Sequence, residues 1–276
     1  MSLRVVPALD FSLSELAELL NSSFRGYLVE IKFNPSLVNY LLRQDHVDLT
    51  ASQVVLEADQ PVGLALVARR GWSSRVAAMG INSERRGQGV GEWLMKQIIT
   101  QARERQDRIL LLEVIEQNHA AVRLYQKLGF QMQRRLVGYR GQLTGGQANE
   151  ALQEVDIREV ARLLTTHAAP DLPWQLSGET LAQGGWPNRG YRLGVAYGAI
   201  SNPEQPQITL KALVVPPEAR GQGAATALIQ ALAAEYPGKT WVAPPIWPEE
   251  IAAGLFEKLG FTRESLSQLQ MILTLR

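Results

Sequence analysis

Cysteine is absent from the 276 residues. Its absence excludes disulfides, thiolate nucleophiles and cysteine-ligated metal sites. Histidine is scarce: His46, His119 and His167 lie far apart with no ligand spacing, which favours surface or capping roles and implies no metal. A surplus of charge of either sign is missing as well. Residues 1–150 carry 18 Lys+Arg against 15 Asp+Glu, and the remainder carry 10 against 12. Neither half is basic enough for nucleic acid to be the expected partner. No apolar run approaches the ~20 residues needed to span a bilayer. No basic segment followed by an apolar stretch opens the chain. The expected setting is therefore cytoplasmic, with no membrane partner.

Hydrophobic residues make up 46% of the chain, enough for one large core or two ordinary ones. The pattern favours two. "SERRGQGVGEWL" (83–94) is echoed by "EARGQGAATALI" (218–229), and "KLGF" occurs at 127–130 and again at 258–261. Two landmarks in the same order at nearly the same separation indicate an internal repeat of domain size. The Gly-rich polar segment "GQLTGGQAN" (141–149) falls between the copies and reads as a linker. The expected domains are 1–145 and 150–276.

Periodicity gives the elements of the first copy. Leu13, Leu16, Ala17 and Leu20 share one helical face behind a Ser12–Glu15 capping box. Asn34 and Pro35 open a second helix. Residues 53–70 read as two strands about a turn at Ala58–Pro61, and 75–81 as a third strand. A helix starting near Gly89 carries Trp93, Leu94, Gln97, Ile98 and Ala102. "RILLLEVI" is apolar on both faces and reads as a central strand. "NHAAVRLYQKLGF" is a short helix closed by Gly129, and a strand follows. The second copy repeats this order less clearly, with a helix near 150–164 and no regular period over 168–190.

The first glycine turn leads from a strand into a helix. Glycines at 87, 89 and 91 remove side chains where the backbone bends. Amides there and in the first helical turn have no internal partners, and with the helix dipole they suit a diphosphate. Arg85 and Arg86 add positive charge. The turn is not a P-loop, because no Gly-Lys-Ser/Thr follows. It also does not sit where a dinucleotide fingerprint sits, after the first strand of a parallel βαβ unit.

Arg86–Gln88, Gly89 and Gly91 fit the R/Q-x-x-G-x-G/A pattern of GNAT-family N-acetyltransferases. "LEVIEQNHAAVRLYQKLGF" (112–130) resembles the matching segment of that family, especially of Rim-type ribosomal-protein Nα-acetyltransferases. The resemblance implies an α/β fold: two tandem GNAT-like domains, each a mixed, mostly antiparallel central sheet flanked by helices. It implies acetyl-CoA as co-substrate, in a cleft between splayed strands placed here at 76–81 and 109–115. Backbone at Met79 and Ile81 would meet the pantetheine arm, and Gly80 either marks a bulge that begins the splay or is a glycine needed only for close packing. Arg86, Gly87, Gln88, Gly89, Val90 and Gly91 would receive the diphosphate, and Asn118 the pantetheine arm. Glu113 stands at the family's general-base position and Tyr125 at its general-acid position. Glu113 lies in an apolar strand, where desolvation favours the uncharged acid. Glu116 or a water chain are alternatives to it, and the alternative role for Glu113 is a strand-end carboxylate facing solvent or a salt bridge.

At the 131-residue offset, Tyr125 corresponds to Phe256, Asn118 to Glu249 and Glu113 to Pro244. Phe donates no proton and Pro accepts none, so the second copy reads as non-catalytic. It is expected to complete an acceptor site in place of a dimer partner, with Trp174, Trp186, Trp241 and Trp247 either lining a groove or filling a core. The expected activity is acetyl transfer from acetyl-CoA to an unidentified amine. The alternatives are an acyl-CoA-binding module without turnover and an enzyme for a longer acyl-CoA. Arg25, Tyr27, Tyr139 and Arg140 are candidates for the acceptor lining.

Overall fold

The computed structural model describes residues 3–143, 149–169 and 171–275. The centre of the expected linker, 144–148, lies outside them. The chain forms two compact units. One comprises Met1–Gln133 with Leu269–Arg276, and the other Arg134–Gln268. These bounds differ from a cut at 145–150. The strand after the "KLGF" helix joins the second unit, and the end of the chain returns to the first. The reason is register: the C-terminal residues complete the first unit's sheet, and Leu275 N–H donates to the Arg108 carbonyl (3.0 Å).

In the first unit β1 (Leu3–Pro7) precedes α1 (Leu13–Ser23) and α2 (Pro35–Asp45). The strands β2 (Gln53–Glu57), β3 (Gln60–Arg70) and β4 (Ser73–Ile81) follow. Then come α3 (Val90–Glu104), β5 (Ile109–Ile115), α4 (His119–Lys127) and the start of β6 (Gln131–Gln142). The second unit continues through β7 (Gln153–Val155), α5 (Ile157–His167), α6 (Gly178–Ala182), β8 (Arg189–Leu193), β9 (Ala196–Ile200) and β10 (Gln207–Val214). It ends with α7 (Ala224–Glu235), β11 (Thr240–Pro248), α8 (Glu249–Phe256) and β12 (Thr262–Thr274).

Strand order in the first unit is β1–β2–β3–β4–β5, with β12 beside β5. All of its neighbours from β1 to β4 are antiparallel, and β4–β5 is parallel. In the second unit the order β6–β11–β10–β9–β8–β7 repeats this logic, with β10–β11 the parallel pair. Each is a mixed, mostly antiparallel sheet flanked by helices, as expected.

Alternation sorts the side chains of the first unit onto two faces. Val54, Leu56, Leu64 and Leu66 pack under Leu16, Leu20 and Val38 of α1 and α2. Val55, Ala65, Val67, Leu110, Leu112 and Val114 pack under Leu94, Met95 and Ile98 of α3. Burying one such Leu or Ile contributes roughly 1.5–3 kcal/mol. The local signals behave as their chemistry dictates. Ser12 and Glu15 make the reciprocal capping box, Asn34 caps α2, and Gly129 ends the α4 segment at φ +91°. One element differs from its reading. The segment expected as a helix from 150 starts as β7, an edge strand paired with β8, and the helix begins only after Asp156 caps it.

Candidate active site

The cleft originates in the parallel strands. β4 and β5 pair from Ser73–Ile109 to Val76–Leu112 and no further, although both strands run on. A register shift in the β3–β4 ladder lies between Leu66 and Val67 and leaves Ala77 as the extra residue. The bulge therefore sits at Ala77, and not at Gly80. Gly80 has a different reason to be glycine. A Cβ there would lie 2.7 Å from the Ser23 Cβ, because the end of α1 packs directly on the strand. Ser22 and Ser23 also donate to the Asn82 Oδ1 (2.9 and 3.0 Å), which ties α1 to the strand exit.

The turn after β4 is held open by its own side chains. Arg86 donates through Nε to the Ile81 carbonyl (3.0 Å) and through Nη2 to the Ser23 and Arg25 carbonyls (2.9 and 3.0 Å). Gln88 donates to the Glu84 carbonyl (2.9 Å). Arg86 and Gln88 thus build the turn, and Arg85 is paired with Glu57 (2.7 Å). Gly87 and Gly89 lie at φ +75° and +82°, where a side chain would meet no atom within 4 Å. Glycine is needed there for backbone conformation, since a left-handed residue with a Cβ costs ~1–2 kcal/mol. No side chain caps the start of α3, so its first amides remain available.

A cavity of about 580 Å³ lies between this turn, the end of α1 and α4. Met79, Gly80, Ile81, Arg86, Gly87, Gly91, Asn118 and Tyr125 all border it. Val90 is in the core beneath α3 instead, and neither Gln88 nor Gly89 is part of the wall. Asn118 caps α4 by accepting from the Ala121 amide (3.2 Å). Tyr125 is buried, stands edge-on to Phe130, and directs its hydroxyl to the Met79 Sδ (3.9 Å). Burial pushes its pKa up, and the neighbouring Tyr27 adds to the shift. The phenol therefore holds its proton through the neutral range.

Glu113 is not brought to this wall. It lies on the α1/α2 side of the sheet, with 2% of its side chain exposed, and accepts from the Arg75 Nε (2.6 Å). Arg75 also donates to Asp45 at the end of α2 (2.9 Å). Burial alone would lower the Arg75 pKa, but attraction to Glu113 and Asp45 outweighs it and raises the value. Glu113 is therefore one half of a buried ion pair whose partner lies on another strand. Arg75, 38 residues away in sequence, gave no local sign of it.

Of the other candidates, Tyr27 borders the cavity beside Phe24 and Leu28, and Arg25 contributes its carbonyl to Arg86. Tyr139 and Arg140 belong to the second unit. Tyr139 is buried and bonded to Glu257, and Arg140 is paired with Glu264. Trp174, Trp241 and Trp247 are buried, so they fill the second unit, while Trp186 is exposed. Gln117 and His119 join the wall without having been expected. Their position next to Asn118 was the available signal.

In the second unit the turn is rebuilt with the same kinds of bond. Gly221 and Gly223 lie at φ +76° and +82°. Arg220 donates to the Val215 carbonyl (3.0 Å) and to that of His167, and Gln222 donates to Glu218 (3.2 Å). Even the bulge recurs, at Lys211 in β10. The chemistry does not recur. Phe256 stands where Tyr125 does and is enclosed by Tyr139, Trp247 and Phe261.

Comparison with known proteins agrees with this geometry. The acetyltransferase (GNAT) family matches residues 13–130, and an acetyltransferase (GNAT) domain matches 189–263. Three solved structures share the fold at low identity. A GCN5-related N-acetyltransferase from Sphaerobacter thermophilus is 13% identical, with a TM-score of 0.70 over 99% of this chain and 96% of that one. A tandem GNAT protein from the clavulanic acid biosynthesis pathway is 16% identical, with a TM-score of 0.66 over 100% and 99%. A GCN5-related N-acetyltransferase from Kribbella flavida is 19% identical, with a TM-score of 0.64 over 99% and 71%. The chain matches none of the curated proteins. The chain belongs to the GNAT acetyltransferase family and carries two GNAT domains in tandem.

Proposed function

We propose that the first unit moves the acetyl group of acetyl-CoA to a primary amine, and that the second unit does not catalyse. The observation that carries this is the placement of the Tyr125 hydroxyl on Met79, in one cavity with the open glycine turn. Amides at 87–91 and the α3 dipole receive the diphosphate. The edge of β4 past Val76, released from β5, runs beside the pantetheine arm with Asn118. The neutral amine attacks the thioester carbonyl carbon. The C–N bond forms, the C–S bond breaks, and the departing sulfur takes the Tyr125 proton. Nitrogen then loses its extra proton, and the phenol is reprotonated. Burial keeps the Tyr125 phenol protonated at neutral pH, the state an acid needs before each turnover.

We assign Glu113 to support, since its carboxylate is committed to Arg75 and lies outside the cavity wall. The ammonium proton is then lost to water, and the rate follows the fraction of neutral amine. Thiol release from acetyl-CoA over a panel of amines tests the activity. Tyr125→Phe is expected to lower kcat by about 10²- to 10⁴-fold, with CoA affinity nearly unchanged. Full rate in that variant would remove Tyr125 from its role. Absence of thiol release with every amine would favour a binding module.

A further inference from the structure

The second unit holds a cavity of its own, about 320 Å³, in the cleft equivalent to that of the first. Leu213, Val214 and Val215 take the places of Met79, Gly80 and Ile81 at the 134-residue offset of the turns. The lining is of another kind. Leu164, Leu172, Leu176, Val214, Trp247 and Ile251 make the wall with small residues such as Ala168. Among the described residues, Arg220 is the only charged one that borders it. Its Nε and Nη2 each donate to a carbonyl, and a guanidinium has five N–H donors, so donors remain for a ligand. Arg220 is exposed, and so is Ile251 at 45%. The cavity thus reaches solvent beside a cation.

We propose that this cavity binds an aliphatic acyl chain with an anionic or polar head at Arg220. A wall of Leu, Val, Ile and Trp favours methylenes, and with Arg220 as its one charge it offers no carboxylate to an ammonium group. One guanidinium at the mouth fits one anion. The size suits a chain of medium length, and Phe256, packed on Trp247 of the wall, supplies no proton, so the ligand is held and not turned over. The same chemistry comes from a free fatty carboxylate or from the acyl part of a thioester. This site is independent of the reaction proposed for the first unit.

Calorimetry on the full chain with butyrate, hexanoate, octanoate, decanoate and dodecanoate tests the proposal. Affinity is expected to rise by about fourfold per methylene until the chain fills the cavity, then level off. Gly89→Glu, in the first unit, should leave this series unchanged. Ala168→Phe should remove it while acetyl-CoA binding and cooperative unfolding stay intact. Ile251→Asp, at an exposed position that does not endanger folding, removes apolar wall and adds a negative charge, so it should weaken both ligands and decanoate about fivefold more than decanol. Decanoyl-CoA in the Gly89→Glu background identifies the source: tighter binding than decanoate points to the thioester, and equal or weaker binding to the free acid. The proposal is overturned if affinity does not depend on chain length. It is also overturned if decanoate binding is lost in Gly89→Glu and kept in both second-unit variants.

Discussion

The two units have the same turn and different clefts. Arg86 and Arg220 hold equivalent carbonyls, and Gly89 and Gly223 share one φ of +82°. Yet the first cleft is bordered by Tyr125, Asn118 and Tyr27, and the second by Leu, Val, Ile and Trp. The Arg-Gly-Gln-Gly sequence is therefore a way of building a loop. It says where a ligand can approach, and the residues on α4 or α8 and on the loop after α1 or α5 decide what happens there. A copy can lose its proton donor and keep the turn, because the turn's bonds are internal to it.

The largest effect is expected from Gly89→Glu. A carboxylate and a left-handed side-chain residue at the diphosphate position should weaken CoA by at least about 100-fold, whereas Gly223→Glu should leave acetyl transfer intact. Titration of CoA into both variants checks this. Equal losses would mean that both turns serve the reaction. Next comes Glu113→Gln, which takes the charge from a buried pair. Denaturant unfolding should report a loss of about 2–3 kcal/mol, with the pH–rate profile keeping its shape. A 100-fold fall in kcat with loss of the acidic limb would restore Glu113 as the base.

Phe256→Tyr, written into the second unit to mimic the first, should create no activity. It should cost about 1–3 kcal/mol, because the added hydroxyl enters a buried cluster of aromatic rings. New thiol release in a Tyr125→Phe background would show that the missing phenol alone separates the copies. The smallest effect is electrostatic. The folded Tyr125 pKa is raised, so its neutral form favours the native state below the unfolded value near 10, and that contribution fades as pH climbs further. Tyr125→Phe should therefore show a shallower loss of stability than the parent above about pH 10. Parallel curves would mean that Tyr125 is more accessible than its burial indicates.

Much of this was readable in the sequence, for identifiable reasons. Caps at Ser12 and Asn34, the alternation of β2 and β3, and the duplicated turn are local signals, and local chemistry decides them. The pairing of Arg75 with Glu113 and Asp45 joins three elements, so no window along the chain displays it. Gly80 illustrates the same limit. Its glycine answers to Ser23, which reaches it only after α1 has packed on the sheet. The compact units divide within β6 and β12 for a related reason: strand partnership, and not chain order, determines which unit a segment completes.

Coenzyme A soaked into crystals of the full chain is the most direct test of the central claim. The account predicts a diphosphate against the amides of residues 87–91 and a sulfur within reach of the Tyr125 hydroxyl. Coenzyme A bound at another place, or an empty first cleft at saturating ligand, would contradict it.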